Sequence, residues 1–64
     1  MKFKNGDTIK TLVVNNDIPI GCLGIVIYVF HDLLDTEYQV EFLDKQGYTV
    51  GVGTYKEKDI EKAE

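Results

Sequence analysis

Glu37-Tyr38-Gln39-Val40-Glu41-Phe42-Leu43 decides the fold. Tyr38, Val40 and Phe42 alternate with Glu37, Gln39 and Glu41. That period of two predicts a strand with one face in a core and the other in water. Asp44-Lys45-Gln46-Gly47 follows as a tight hairpin turn, with Gly47 free to take the positive φ that a bulged turn requires. Tyr48 to Val52 then returns as the partner strand, with Tyr48, Val50 and Val52 sharing one face. Gly51 and Gly53 fall on the opposite face and mark a bend or the close approach of another part of the backbone.

Upstream, Leu23 to Phe30 reads as a strand that is apolar on both faces, with Ile25, Ile27 and Val29 on one and Val26, Tyr28 and Phe30 on the other. Either a bulge switches its inward set midway, or something else covers its second face. His31 to Thr36 connects it to the decisive strand. Thr8 to Val14 is rich in β-branched residues and predicts a first strand, opened by the turn Asn5-Gly6-Asp7. Asn15 to Gly21 is the long loop after it, with Pro19 interrupting strand pairing. Downstream, Tyr55 to Asp59 predicts one 3₁₀ turn, Ile60 anchors a short last strand, and Glu61 to Glu64 is a solvated tail.

These elements describe an all-β domain: a five-stranded SH3-like barrel with a 3₁₀ turn before the last strand, occupying residues 1–64 as a single unit. Its expected core is Ile9, Leu12, Val26, Val29, Tyr38, Val40, Phe42, Val50, Tyr55 and Ile60. A chain of 64 residues buries only about 60% of the surface its unfolded form exposes, so its stability margin is small. Cys22 is the one cysteine, which rules out an intramolecular disulfide and fits a reducing compartment. The opening Met1 to Gly6 runs into a polar turn with no apolar stretch of signal-peptide type, and no run suits a membrane span. The expectation is a cytoplasmic protein.

Several stretches resemble small SH3-like domains. Gly6-Asp7-Thr8-Ile9 and Gly21-Cys22-Leu23-Gly24-Ile25-Val26 resemble the Gly-Asp opening and Gly-x-x-Gly-x-Val segment of KOW and Tudor-type modules. Tyr38-Gln39-Val40-Glu41-Phe42 and the segment from Tyr55 to Ile60 complete the same layout, which is also similar to that of a small reaction-centre protein of photosystem I. The combination resembles most an uncharacterised family of small bacterial and phage proteins. The resemblance spans residues 6–61 and implies a fold; its motifs are structural, and function is carried by sites rather than folds.

Charge narrows the function classes. Seven lysines, no arginine and eleven carboxylates give a net charge of −4. Proteins that grip phosphate backbones carry basic patches, usually with arginine, so nucleic acid is disfavoured as a partner. Five carboxylates (Asp32, Asp35, Glu37, Glu41 and Asp44) lie between residues 32 and 44 without a lysine, either as a solubilising face or as a patch that steers a basic partner. Cys22 and His31 flank the second strand and would stand roughly 27–30 Å apart along it, too far for a nucleophile–base pair. His31, Asp32, Asp35 and Glu37 match neither a calcium loop nor a zinc spacing, so no metal and no cofactor is expected.

The expected function is therefore a non-catalytic protein-interaction module, not an enzyme. It would bind a protein partner or itself through an apolar second-strand face and an acidic rim. The candidate residues are Ile25, Ile27, Phe30, Leu33 and Leu34 with Asp32, Asp35, Glu37 and Glu41, and Tyr28 and Tyr48 extend the apolar set. Two alternatives stand beside it. One is a nucleic-acid-associated barrel using Lys2, Lys4, Lys10, Lys56 and Lys58; the other is an acidic inhibitor occupying a DNA-binding protein's site.

Overall fold

The computed structural model describes residues 2–31 and 34–63. In chain order the elements are β1 (Thr8–Thr11), β2 (Leu23–His31), β3 (Thr36–Leu43), β4 (Thr49–Lys56), a 3₁₀ turn (Glu57–Asp59) and β5 (Ile60–Lys62). All five strands belong to one antiparallel sheet in the order β4-β3-β2-β1-β5. No helix among the described residues is long and apolar enough to cross a membrane.

β3 carries the alternation its sequence dictates: Tyr38, Val40 and Phe42 are buried, while Glu37, Gln39 and Glu41 lie on the opposite face and are only half-buried. The hairpin after it closes on Asp44, whose Oδ1 accepts bonds from the backbone N–H groups of Gln46 and Tyr48, both at 2.9 Å. Gly47 sits at φ 88°, the left-handed region the turn demands.

β2 resolves its two-faced apolar pattern with a bulge. Its register to β3 shifts between Val26 and Tyr28, so Ile27 is the extra residue. Gly24, Val26 and Val29 therefore face Phe42, Val40 and Tyr38, whereas Ile25, Tyr28 and Phe30 stand opposite Glu41, Gln39 and Glu37 on the outer face. Strict alternation across the whole strand, which would group Ile25, Ile27 and Val29, is broken at that point.

The core comprises Phe3, Ile9, Val26, Tyr38, Val40, Phe42, Tyr55 and Ile60, with Val13, Ile18, Cys22 and Val29 packed against it. Two expected members are not there. Leu12 is 40% exposed because the inward positions of the first segment are Ile9, Thr11 and Val13, every second residue. β1 also ends at Thr11 rather than Val14. Thr11 turns its hydroxyl to the loop, donating to Pro19 O at 2.8 Å and accepting from Cys22 N at 3.0 Å. Val50 is 65% exposed, because Gly51, Gly53 and Tyr55 are the β4 residues opposite Phe42, Val40 and Tyr38.

Those two glycines make room for the long loop. A Cβ on Gly53 would lie 3.5 Å from both Asn15 Nδ2 and Ile18 Cδ1, and Asn15 Nδ2 donates to Thr54 O at 3.1 Å. What approaches is thus the Tyr55 ring, whose Cε1 would stand 2.9 Å from that Cβ, together with side chains of the loop after β1. Tyr55 belongs to β4 and not to the helical turn, which begins at Glu57. The segment expected as a solvated tail is partly ordered: Lys62 pairs with Ile9, and Ala63 N donates to Thr8 O at 2.9 Å.

The N-terminal arm is held by one small network. Phe3 packs edge-on against Tyr38 with ring centroids 5.3 Å apart. Tyr38 Oη donates to Glu57 Oε2 at 2.5 Å and accepts from Phe3 N at 3.4 Å, while Lys2 N donates to the same carboxylate oxygen at 3.2 Å.

Candidate interaction face

The outer face of the sheet is built by three adjoining rows. β2 contributes Leu23, Ile25, Tyr28 and Phe30; β3 contributes Glu37, Gln39, Glu41 and Leu43; β4 contributes Val52, Thr54 and Lys56. Tyr28 and Phe30 sit two residues apart on the same side, and their rings meet edge-on at 4.7 Å. Leu23, Tyr28 and Phe30 are 56%, 53% and 41% exposed, and Val52 adds a further exposed aliphatic across β3. Ile25 is half-buried between them. Contiguous exposed apolar side chains of this kind mark contact surfaces in soluble domains.

Next to Ile25 the face carries a notch of about 200 Å³ lined by Thr8, Leu23, Gly24, Ile25 and Leu43. Gly24 forms part of its floor with backbone, because that position faces inward. A Cβ there would lie 2.5 Å from Val40 Cγ1. Small-molecule sites enclose about 300–1,000 Å³, so this notch has the size for a single side chain.

The carboxylates stand inside the apolar field, not only around it. Glu41 is flanked in register by Ile25 and Val52, and its Oε2 accepts a bond from Thr49 Oγ1 at 2.6 Å. Glu37 lies between Phe30 and Lys56. Lys56 Nζ nevertheless reaches Asp35 Oδ2, at 3.6 Å. Among the described residues the other ion pair is Lys62 to Asp7 at 3.9 Å, so neither Glu37 nor Glu41 is matched by a cation.

Of the residues singled out from the sequence, the structure brings Ile25, Phe30, Glu37 and Glu41 onto this face together, with Tyr28. Ile27 sits at the bulge, partly exposed, and Leu34 is 94% exposed in the connection between β2 and β3. Asp35 is exposed beside Lys56. Asp32 and Leu33 lie outside the described residues. Sequence reasoning missed Leu23, Leu43 and Val52 as members. The signal was present in Leu43, which continues the wet side of the Glu37–Gln39–Glu41 alternation, and in Leu23, which lies two residues before Ile25 and so shares its face.

Burial raises the Tyr38 phenol above its ordinary 10.0, reinforced by its bond to Glu57. Glu57 is held below its ordinary 4.5, first by that phenol and then by the Lys2 N–H. Burial also raises Tyr55, opposed in part by the neighbouring Asn15 side chain, and among the described residues Tyr55 Oη has no partner at hydrogen-bond geometry. Cys22 and His31 stand at opposite ends of β2, and among the described residues no three His, Cys, Asp or Glu side chains gather as a metal site would need. Comparison with protein-family models, curated proteins and solved structures returns no match.

Proposed function

We propose that this chain is a non-catalytic, cytoplasmic protein-interaction module on an SH3-like barrel framework, and that it binds a protein partner through the outer face of β2, β3 and β4. The strand order, the 3₁₀ turn before β5 and the bulged β2 support the framework. The single observation that carries the function is the run of Leu23, Tyr28 and Phe30, all more than two-fifths exposed on one face with Val52 opposite. A domain with so small a core gains little by leaving aromatic rings in water, and covering such a strip stabilises a complex by about 25 cal/mol for each Å² buried.

The test compares the wild-type chain with Tyr28→Lys/Phe30→Lys. Proteins captured by the first are purified and their affinities for both chains measured. A partner that binds the wild type and loses at least tenfold in affinity for the double variant, whose circular dichroism is unchanged, supports the reading. Partners that bind both equally would place the interface elsewhere.

A further inference from the structure

The mixture of chemistry on the outer face identifies the kind of partner it takes. Building on the interaction reading above, we infer that the partner presents a polypeptide segment carrying lysine or arginine beside apolar side chains. One apolar side chain seats in the notch formed by Thr8, Leu23, Ile25 and Leu43, and cations meet Glu41 and Glu37.

Three observations lead there. The notch, at about 200 Å³, takes one side chain, and interfaces concentrate their affinity in such anchors. Glu41 adjoins the notch through its register with Ile25 and is half-buried between Ile25 and Val52, while Glu37 stands between Phe30 and Lys56, whose ammonium goes to Asp35; among the described residues neither carboxylate has an ion-pair partner. Covering them with a neutral apolar partner would strand two buried charges, which is strongly unfavourable unless an opposite charge arrives with the partner. The third observation disfavours the chain's own copy. A two-fold contact through this face apposes two copies of one acidic patch in a molecule of net charge −4 that has no arginine, and it supplies fewer cations than a basic partner would. Lys56 ends the β4 row beside Glu37, with its ammonium on Asp35, and Lys10 pairs with Leu23 at the other edge.

The spacing is also defined. Glu37 and Glu41 lie four residues apart on β3, so the cations they receive are separated by about 13 Å. That distance is four residues along an extended segment, or about nine along a helix.

A displayed library of random dodecapeptides, panned against the intact chain, tests this. The expected result is enrichment of basic peptides holding at least one Leu, Ile, Phe or Met. The best of them, synthesised, should bind at least tenfold more weakly to Glu37→Lys/Glu41→Lys and to Leu43→Asp. Its affinity should also fall as salt rises from about 50 to about 500 mM. Glu37→Gln/Glu41→Gln serves if charge reversal perturbs folding, judged by circular dichroism and melting. Enrichment of neutral or acidic peptides, affinity indifferent to the Glu37/Glu41 variants, or no enrichment at all overturns the inferred partner chemistry. The two readings separate on Tyr28→Lys: lost binding with indifferent glutamates leaves the face and removes the basic partner, whereas unchanged binding in Tyr28→Lys and Leu43→Asp removes the face itself.

Discussion

Replacing Gly24 and Gly51 by alanine, one at a time, should move stability in opposite directions. Both glycines occupy inward positions facing Phe42, Gly24 from β2 and Gly51 from β4. Neither has a positive φ, so the backbone accepts alanine at both and only space decides. At Gly24 the new methyl would stand 2.5 Å from Val40 Cγ1 and 2.9 Å from two carbons of the Phe42 ring. Carbon atoms in favourable contact sit about 3.5–4.0 Å apart, so these partners must retreat by roughly an ångström or the β2–β3 pair must part. Overpacking of that kind costs about 1–3 kcal/mol. At Gly51 the nearest atom is Ile18 Cδ1 at 3.9 Å, ordinary contact. There alanine lowers unfolded-chain entropy and contributes about 0.4–1 kcal/mol of stability. In a domain of this size each kcal/mol shifts the melting temperature by about 4–8 °C. Thermal melts followed by circular dichroism should therefore show Gly24→Ala lowered by roughly 5–20 °C and Gly51→Ala raised by a few degrees. Shifts of the same sign, or a Gly24→Ala melt within a degree of wild type, would refute the register that sets Gly24 against Phe42.

Phe42→Ala should cost about 3–5 kcal/mol. The total stability expected for 64 residues is only about 3–10 kcal/mol, so the folded fraction at 37 °C should drop sharply. A melting temperature kept by this variant or by Val40→Ala would disprove the burial of that strand face. The two core tyrosines should differ: Tyr38→Phe removes a hydroxyl bonded to Glu57 and lowers stability by about 1–3 kcal/mol, whereas Tyr55→Phe removes a buried hydroxyl with no partner among the described residues and is neutral or stabilising. Denaturant titration of both would settle the order. Glu57 carries a depressed folded pKa, so its contribution is present above the ordinary 4.5 and is lost as pH falls through the lower folded value. Acid melts should thus fall less steeply for Glu57→Gln than for wild type. Tyr38 and Tyr55 have raised folded pKa values, so stability should decline as pH rises past 10.0, read as alkaline unfolding by absorbance of the phenolates. Ile27→Lys, at the partly exposed bulge and off the outer row of Ile25, Tyr28 and Phe30, should leave the chain folded, as read by its thermal melt; loss of folding would place Ile27 in the core.

Much of the fold was legible in the residues because a strand's side-chain period is short and local. The Tyr38–Val40–Phe42 alternation, the Asp44–Gly47 hairpin with its positive-φ glycine, and the two-faced apolar pattern of β2 all follow from neighbours within a few positions, whereas the choice between a bulge and a cover for β2 was left to the register with β3. Half of the interaction face was readable for the same reason, since Ile25, Tyr28 and Phe30 exceed what so small a core can hold.

What lay beyond the sequence was which of two parities each flanking strand adopts. β4 could have turned Tyr48, Val50 and Val52 inward, the more hydrophobic choice, but its pairing to β3 instead sets Gly51, Gly53 and Tyr55 there, and the loop's Ile18 and Asn15 lie over the glycines. Phe3 reaches the core only because Tyr38 and Glu57, distant in sequence, meet and hold the arm that carries it. Composition and periodicity act over a few residues; register and loop closure depend on contacts across the whole chain, and they alone decided which apolar side chains were left exposed.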